Sequence, residues 1–513
     1  MGLEHARGQS LSLLLRRSAR RHRSKTALIC GSERLSYADL DILVDSLANG
    51  LLREGVKPGE RIAVLARNSH AFVAIRFAVA RTGAVLVPIN FMLGEEEVRY
   101  ILEHSGASML FVDASTATTG CAAAPQNALI FGLPGEHTAI PDEQGVRSWK
   151  TLMIPAGPVE DPVNSRDLLQ IIYTSGTESR PKGAMLTHEA VLWEYQSCIV
   201  DCEWTASTVV LHALPLFHCA QLDCMMGPAL AVGATNVVTS SSDPERILPL
   251  MGCHGVTSFF APPTVWIALL ASPMFTEHDL STLEKGYYGA SIMPVEVLED
   301  IRRKLPRVRL WNLYGQTEIA PVATILLPEE HVERLGSAGR PTLHVETRIV
   351  DDAMNDVAVG QVGEIVHRSP QLLTGYWRDE QRTAEAFAGG WFHSGDLGMM
   401  DAEGYITVVD RKKDMIKSGG ENVASREVEE VIYAHPAVLE AAVVGMPDPK
   451  WIEMVTAFVV VRPDHNLDEE ALLAHCQKKL AGFKCPKRIL FLDRLPRSAS
   501  GKILKRELRE RDA

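Results

Sequence analysis

The sequence lacks a long hydrophobic run, an excess of positive charge and any internal repeat. No segment reaches the roughly 18 apolar residues that a membrane-spanning helix needs, which argues against an integral membrane protein of the helical type. The net charge of −12 argues against general nucleic-acid binding, because that function requires a basic surface. These absences leave a globular protein whose partners are neither nucleic acids nor the membrane interior.

The length and the cysteine content further indicate the number of domains and the cellular compartment. A chain of 513 residues is too long for one hydrophobic core, so we expect two or more domains. The nine cysteines are odd in number, and most of them lie in apolar runs. Both features are typical of reduced thiols, and they predict a cytoplasmic protein without a disulfide framework.

Short apolar runs alternate with helical patterns along most of the chain. "RIAVLAR" predicts a strand, "AFVAIRFAVARTG" predicts a helix that ends at Gly83, and "AVLVPIN" predicts a second strand. Such βαβ units imply a parallel sheet. The stretch 114–162 is rich in Ala, Pro, Gly and Thr, and we expect a loop-rich connection there.

The texture of the sequence changes near Asp410, where a strand, a charged turn, a glycine pair and a helix follow one another. Residues 411–513 carry 19 Lys and Arg against 16 Asp and Glu, whereas the rest carries 33 against 48. We therefore predict an α/β protein with a large N-terminal domain of layered α/β subdomains, residues 1–410. A small, mobile α+β C-terminal domain, residues 411–513, follows a hinge at the charged turn.

The stretch "IIYTSGTESRPKGAML", Ile171 to Leu186, interrupts two apolar runs with hydroxyl residues, glycines and one lysine. Small residues allow the backbone to approach phosphate oxygens, and a lysine supplies positive charge. The residues that suit this role are Thr174, Ser175, Gly176, Thr177, Ser179, Lys182 and Gly183. The spacing is not that of a Walker A loop. Taken alone, the stretch is equally typical of a polar surface turn.

"TSGTESRPKG" resembles the phosphate loop of the adenylate-forming superfamily, which contains acyl-CoA synthetases, luciferases and peptide-synthetase adenylation domains. The resemblance runs from "RLSYADL" to "GKILKREL" and includes, in the family's order, "LPLFH", "YYGASIMP", "WNLYGQTE", "GGWFHSGDLG", "DRKKDMIKSGGEN" and "SGKILKREL". The chain looks most like a free-standing fatty-acyl-CoA synthetase. It departs from the pattern at Glu178 and Ser179, where the family usually has Thr-Gly, and this puts the geometry of the loop in doubt.

The resemblance implies that ATP, Mg²⁺, CoA and a small carboxylic acid are the reactants. Tyr314 would stack on adenine, Thr317 would bond the α-phosphate, Asp396 would accept both ribose hydroxyls, and Arg411 would lie near the ribose and phosphate. Glu318 would hold Mg²⁺, a hard cation that prefers carboxylate oxygen. The full set of implied ATP- and AMP-binding positions is Thr174, Ser175, Gly176, Thr177, Lys182, Gly289, Ala290, Ser291, Tyr314, Gly315, Gln316, Thr317, Asp396, Arg411 and Lys502.

The resemblance also implies two poses of the small domain, with the hinge at Asp410. In the first pose Lys502 would reach the carboxylate and the α-phosphate. In the second, Lys417 and two glycines would face the site and leave room for pantetheine. The implied catalytic positions are Lys502, His218, Thr317 and Lys417. The implied acyl and CoA pocket consists of His218, Ala220, Cys224, Tyr288, Gly289, Gly419 and Gly420.

The chemical class of the acid substrate is harder to derive from the sequence. Small residues at Ala220 and Cys224 favour an apolar tunnel for a medium- or long-chain fatty acid, since each buried methylene contributes about 0.8 kcal/mol. Val265, Trp266 and Tyr287 would instead shape a flat slot for a hydroxycinnamate or a benzoate. His218 stands where amino-acid activators carry an Asp, which disfavours an amino acid. A separate carrier protein as acyl acceptor, a non-catalytic regulatory protein and a homodimer all remain open.

One alternative for the middle of the chain is a metal site formed by Cys198, Cys202, His212, His218, Cys219 and Cys224. Their spacing matches no standard zinc pattern, and they fall in apolar helices, so we do not expect one.

Overall fold

The structure is a computed structural model, and it describes residues 7–160, 163–174, 181–289, 293–419, 421–463, 465–497 and 503–510. Helices and strands alternate along the chain, as predicted. The helices are Leu11–Arg21, Tyr37–Arg53, His70–Arg81, Glu95–Ser105, Ala117–Ala123, His188–Asp201, Gly227–Val232, Pro244–His254, Pro263–Ala271, Val295–Lys304, Glu380–Ala386, Ser425–Tyr433, Glu469–Gln477 and Lys505–Glu510.

The first sheet has nine strands within the described residues, parallel in the middle and antiparallel at both edges. Parallel strands buried on both faces explain the nearly continuous apolar runs in the sequence. In spatial order the strands are Arg340–Pro341, Val322–Leu326, Arg309–Gly315, Lys285–Gly289, Ser258–Phe260, Val209–His212, Thr235–Val238, Thr26–Cys30 and Glu33–Ser36.

The second sheet contains the predicted βαβ unit, which is confirmed. Arg61–Leu65 pairs in parallel with Val85–Pro88, and the helix between them begins after Ser69, whose side chain accepts a hydrogen bond from the amide of Phe72. That helix ends at Arg81, slightly before Gly83. In spatial order the strands are Gly375–Tyr376, Lys182–Thr187, Leu168–Thr174, Val85–Pro88, Arg61–Leu65, Met109–Val112, Leu129–Gly132 and Val146–Ser148.

Two smaller sheets complete the chain. The third consists of Glu346–Val350, Gly363–Arg368, Phe392–Met400 and Ile406–Arg411, in that spatial order. The fourth runs Glu421–Val423, Ile416–Ser418, Ile452–Val461 and Val438–Asp448, with Arg488–Phe491 parallel to Ile452–Val461. It packs against the last three helices and has apolar clusters of its own, as expected for a separate small domain. The exact boundary at residue 410 remains a prediction.

The region 114–162 is more ordered than the sequence suggested. It contains the helix Ala117–Ala123 and the strands Leu129–Gly132 and Val146–Ser148, which extend the second sheet. Alanine is a good helix former, and its abundance here favoured the helix. Short 3₁₀ turns occur at Trp149–Leu152, Pro273–Thr276, Thr317–Ile319, Pro328–Glu330 and Ala388–Gly390, and a π-helical segment spans Ala220–Met226.

No helix in the described part of the chain is long and apolar enough to cross a bilayer. The cysteines are all free thiols.

Candidate active site

The first and second sheets bring their strand ends together around the expected nucleotide site. Thr174 and Lys182 face each other across the hairpin that carries the phosphate loop. The ammonium group of Lys182 lies 5.4 Å from the ring centre of Tyr376, on the neighbouring strand. Six residues at the tip of the loop, including Ser175, Gly176, Thr177, Glu178 and Ser179, lie outside the described residues, so their expected roles stay predictions.

Two glycines stand at the carboxyl ends of adjacent parallel strands, Lys285–Gly289 and Arg309–Gly315. A Cβ atom on Gly289 would lie 2.3 Å from the carbonyl oxygen of Leu313, and one on Gly315 would lie 2.0 Å from that of Pro321. Close backbone approach therefore explains both glycines. Ala290 and Ser291 lie outside the described residues, and Gln316 follows Gly315 in extended backbone.

The carboxylate of Asp396 contacts two polar side chains, those of Tyr314 and Arg411. Asp396 is buried, with 4% of its surface exposed. The hydroxyl of Tyr314 donates to Oδ2 at 2.7 Å, and Arg411 Nε lies 2.6 Å from Oδ1. Each carboxylate oxygen can accept a second hydrogen bond, so these contacts leave the lone pairs that two ribose hydroxyls would need. The three side chains come from three separate sequence motifs, and the structure brings them together.

Thr317 and Glu318 begin a 3₁₀ turn directly after Gln316. Thr317 Oγ1 lies 3.3 Å from Cys219 Sγ, next to His218 in sequence. Glu318 is largely buried, and its Oε1 accepts a hydrogen bond from the hydroxyl of Tyr376 at 3.0 Å. Within the described residues, no donor bonds its Oε2. A buried carboxylate with an available oxygen suits a hard cation such as Mg²⁺.

His218 is half-buried at the start of the π-helical segment Ala220–Met226. Its Nδ1 accepts a hydrogen bond from the backbone amide of Ala220 at 3.2 Å, so a neutral ring carries its proton on Nε2. Irregular helices of this kind are frequent at functional sites. Ala220 is half-buried as well, whereas Cys224 is 1% exposed.

Cys224 belongs to an apolar cluster with Trp204, Tyr287 and Trp311. Burial raises the pKa of its thiol to about 12, so the thiol is neutral. Tyr287 is fully buried and donates its hydroxyl to the carbonyl of Cys202 at 2.7 Å. Ala220 packs against the same cluster, and we refer to Ala220, Cys224 and these three aromatic residues as the acyl wall.

The packing of three other expected pocket residues differs from that of Ala220 and Cys224, and their role stays a prediction. Trp266, Val265 and Tyr288 pack in a different apolar cluster from Ala220 and Cys224. The hydroxyl of Tyr288 is 3.0 Å from Nε2 of His331. Alternate residues of a strand point to opposite faces of the sheet, which separates Tyr288 from Tyr287.

Sequence reasoning missed a carboxyl group behind this wall. Glu194 is fully buried; its Oε1 lies 3.3 Å from Cys198 Sγ, and its Oε2 accepts from Gln371 Nε2 at 2.8 Å and from the amide of Val322 at 3.3 Å. Burial raises the pKa of Glu194 well above its ordinary value, which favours the protonated form of this carboxyl group. A glutamate inside an apolar helix was the only signal for it in the sequence.

Cys198 and Cys224 approach to 3.8 Å between their sulfurs, and with Glu194 they form a compact group of polarisable ligands. His212 is not part of it, since its ring contacts Asn236 and Gln221 instead. The hydrogen bonds within and around the group already satisfy the carboxyl oxygens of Glu194.

A second buried network, also missed, fixes the π-helical segment from behind. Asp223 Oδ1 and Arg76 Nη2 form an ion pair that is 0% and 2% exposed. Asp223 Oδ2 accepts from Gln170 Nε2 at 2.8 Å, and Tyr195 donates its hydroxyl to Oδ1 at 3.3 Å. Gln170 lies on the strand that leads into the phosphate loop, so this network connects the acyl wall with the nucleotide site.

Asp410, the expected hinge, is the penultimate residue of the strand Ile406–Arg411. Its Oδ2 accepts hydrogen bonds from the amide and the hydroxyl of Ser425 at 2.6 and 2.8 Å. Ser425 is the first residue of a small-domain helix, where a carboxylate satisfies free amides and opposes the helix dipole. Lys505 Nζ reaches the same hydroxyl at 2.6 Å. The expected hinge is therefore a point of direct contact between the domains.

The expected thiol-side residues lie on one hairpin of the small domain. The amide of Lys417 donates to Glu453 Oε2 at 2.6 Å, and its side chain is exposed. Gly419 has φ +61°, and a Cβ atom there would lie 3.1 Å from the Trp451 ring. Gly420 and Lys502 lie outside the described residues.

Comparisons with known proteins agree with this geometry. Residues 15–377 match the family model of the AMP-binding enzymes, and residues 427–502 match the model of the AMP-binding enzyme C-terminal domain. A feruloyl-CoA synthase from Amycolatopsis sp is 40% identical over 98% of this chain and 99% of that protein. A long-chain fatty acid–CoA ligase from Mycobacterium tuberculosis is 34% identical over 93% of both chains.

Among solved structures, an anthranilate CoA ligase in complex with anthranoyl-AMP superposes with a TM-score of 0.90 at 26% identity, covering 99% of this chain and 98% of that one. The layered large domain and the smaller C-terminal domain are thus those of adenylate-forming enzymes. ATP, Mg²⁺ and CoA are the reactants that such ligases use. The chain belongs to the family of AMP-binding enzymes, as an acid–thiol ligase of the acyl-CoA synthetase type.

Proposed function

We propose that this ligase acts on an aromatic carboxylic acid of the hydroxycinnamate type. The observation that carries the proposal is the packing around Cys224, which was expected to line the acyl pocket. Cys224 is 1% exposed and belongs to an apolar cluster that contains Trp204, Tyr287 and Trp311. A long alkyl chain passing Cys224 would have to displace such side chains, whereas a flat ring can lie against the half-buried Ala220.

The similarity to a feruloyl-CoA synthase over nearly the whole chain supports the same substrate class. The sequence favoured a fatty acid, because Ala220 and Cys224 are small. That preference is not confirmed, since Cys224 is 1% exposed and belongs to an apolar cluster that contains aromatic side chains. The 34% identical fatty acid–CoA ligase keeps the fatty acid as the competing possibility.

The proposed reaction has two steps. The carboxylate of the acid attacks the α-phosphorus of ATP, and pyrophosphate leaves, which forms an acyl-adenylate. The thiol of CoA then attacks the acyl carbon, and AMP leaves with the electron pair of the broken acyl–phosphate bond. A carboxylate is already a nucleophile, so catalysis rests on positioning and charge stabilisation rather than on a strong base.

In the first step Asp396 holds the ribose and the ring of Tyr314, whose hydroxyl is bonded to Asp396, stacks on adenine, while Lys182 and the loop beside it neutralise phosphate charge. Mg²⁺, when bound, supplies a Lewis acid that offsets the charge on the phosphates, and Glu318 would hold it. Thr317 bonds the α-phosphate. His218, which is half-buried, lies between the acyl pocket and the path of the CoA thiol.

Two lysines of the small domain act in different steps, Lys502 in adenylate formation and Lys417 in thioester formation. Lys502→Ala removes most adenylate formation but spares thioester formation from supplied acyl-adenylate, because Lys502 acts only in the first pose. Lys417→Ala has the reverse and weaker effect. Rapid-quench measurement of each half-reaction separates the two, and an equal loss of both steps in Lys502→Ala would contradict the two-pose assignment.

The substrate is tested by pyrophosphate release with ferulate, cinnamate, decanoate and palmitate as single acids. We expect kcat/KM for ferulate to exceed that for palmitate by at least about tenfold, the discrimination that pocket shape alone provides. Ala220→Trp should lower kcat/KM for ferulate without changing KM for ATP. Ala353→Trp, on an exposed turn, is the matched control. A higher kcat/KM for palmitate than for ferulate would overturn the proposal.

A further inference from the structure

Glu318 is held from one side by a segment that follows it by more than fifty residues. The amide of Leu373 donates to the carbonyl oxygen of Glu318 at 2.8 Å, and the hydroxyl of Tyr376 donates to its Oε1 at 3.0 Å. Both the backbone and the carboxylate of Glu318 are therefore fixed by the same short stretch of chain.

Tyr376 is rigidly placed. It is 7% exposed, and it pairs with Ala184 on the strand that begins at Lys182. Its backbone is also fixed, because its amide donates a hydrogen bond to Thr383 Oγ1 at 2.9 Å. The ring faces the ammonium group of Lys182 at 5.4 Å, within the range of a cation–π interaction. One side chain thus touches both the phosphate-loop lysine and the acidic residue opposite it.

We propose that Tyr376 is a positioning residue for the divalent cation: its hydroxyl fixes Oε1 of Glu318 so that Oε2 points to the metal, while its ring orients Lys182. The inference rests on the proposed role of Glu318 as a metal ligand. A carboxylate that is free to rotate must lose side-chain freedom when it binds a cation, whereas one already hydrogen-bonded does not. Preorganisation of this kind strengthens binding without adding a contact to the ligand.

The structure offers a matched control. Tyr405 is 8% exposed, and its hydroxyl donates to Oε1 of Glu330 at 2.6 Å. Glu330 forms an ion pair with Arg340 and belongs to none of the sequence motifs of the site. Tyr405→Phe therefore removes the same kind of hydrogen bond from an equally buried tyrosine, with the ring retained, but leaves Glu318 untouched.

The experiment measures Mn²⁺ binding by electron paramagnetic resonance in the presence of α,β-methylene-ATP, which cannot release pyrophosphate. Four proteins are compared: the wild type, Tyr376→Phe, Tyr405→Phe and Glu318→Gln. We expect Tyr376→Phe to weaken Mn²⁺ binding by about tenfold, the effect of one hydrogen bond to a charged group. Tyr405→Phe should stay within twofold of the wild type, and Glu318→Gln should show the largest loss.

A second readout is the Mg²⁺ concentration needed for half-maximal pyrophosphate release, which should rise in Tyr376→Phe while KM for ATP at saturating Mg²⁺ changes little. Unchanged Mn²⁺ affinity in Tyr376→Phe, with a loss in Glu318→Gln, would overturn the positioning role alone. Unchanged affinity in Glu318→Gln would overturn the metal assignment on which it rests. Equal weakening of Mn²⁺ binding in Tyr376→Phe and Tyr405→Phe would also overturn the positioning role of Tyr376, because the effect would then be one of general stability.

Discussion

The nucleotide side and the acyl side of this site are built in different ways. On the proposed nucleotide side, Tyr314 and Arg411 contact the carboxylate of Asp396, which keeps lone pairs for a ligand. On the proposed acyl side, Glu194 and Asp223 are fully buried and are satisfied by other protein groups. In the proposed site the first set faces the ligand, whereas the second set supports the shape of the wall.

This difference explains how one family activates many acids. The nucleotide contacts need particular residue types at particular places, because ribose and phosphate are the same in each reaction. The acyl wall needs only a shape, which packed side chains and buried networks provide. We therefore expect substitutions on the nucleotide side to change ATP kinetics, and substitutions behind the acyl wall to change stability or the choice of acid.

The largest effect should come from breaking the buried network. Asp223→Ala leaves the guanidinium of Arg76 buried and unpaired, and we expect a loss of about 3–5 kcal/mol in the free energy of unfolding, measured with urea. The double variant Arg76→Met/Asp223→Leu should recover much of this, because it removes both charges together. A loss below about 1 kcal/mol in Asp223→Ala would show that the wall does not depend on the network.

On the nucleotide side, Asp396→Ala should lower kcat/KM for ATP by about 100-fold, since two hydrogen bonds from ribose to a charged acceptor are lost. Pyrophosphate release at varied ATP measures it. Asp352→Ala, which removes an exposed carboxylate paired with Lys412 at 2.8 Å, should leave ATP kinetics unchanged. Equal effects of both variants on ATP kinetics would contradict the claim that Asp396 binds the ribose directly.

The smallest effect concerns the protonation of Glu194. The folded protein keeps the proton above the ordinary pKa of 4.5, whereas the unfolded chain releases it. The wild type should therefore lose stability as pH rises from about 4.5, by up to about 1.4 kcal/mol per pH unit, until the raised pKa is reached. Glu194→Gln should lack this component. Parallel pH–stability curves for the two proteins would contradict a neutral Glu194.

The sequence was sufficient for the local elements. Strand and helix periodicity predicted the unit from Arg61 to Pro88, because a short stretch of chain determines it. The motifs named Asp396 and Tyr314, which the structure brings within hydrogen-bonding distance, and their roles stay predictions. The region 114–162 was misjudged, because its alanines were read as part of a loop.

The acyl side could not be derived in the same way. Glu194 meets Gln371 across 177 residues, and Asp223 meets Arg76 across 147. No spacing rule connects such partners, since the fold alone brings them together. The same holds for Tyr376 and Glu318. The size of Ala220 and Cys224 suggested a tunnel, but the aromatic residues that share the cluster of Cys224 come from three other segments of the chain.

The most direct test mixes the protein with ATP, Mg²⁺, CoA and an equimolar pool of hydroxycinnamic, benzoic and fatty acids, and records each new CoA thioester by mass spectrometry. The proposed acyl wall predicts that hydroxycinnamoyl-CoA thioesters dominate. Dominance of long-chain acyl-CoA would contradict the proposed substrate. Accumulation of acyl-AMP without any thioester would contradict CoA as the acceptor and point to a carrier protein instead.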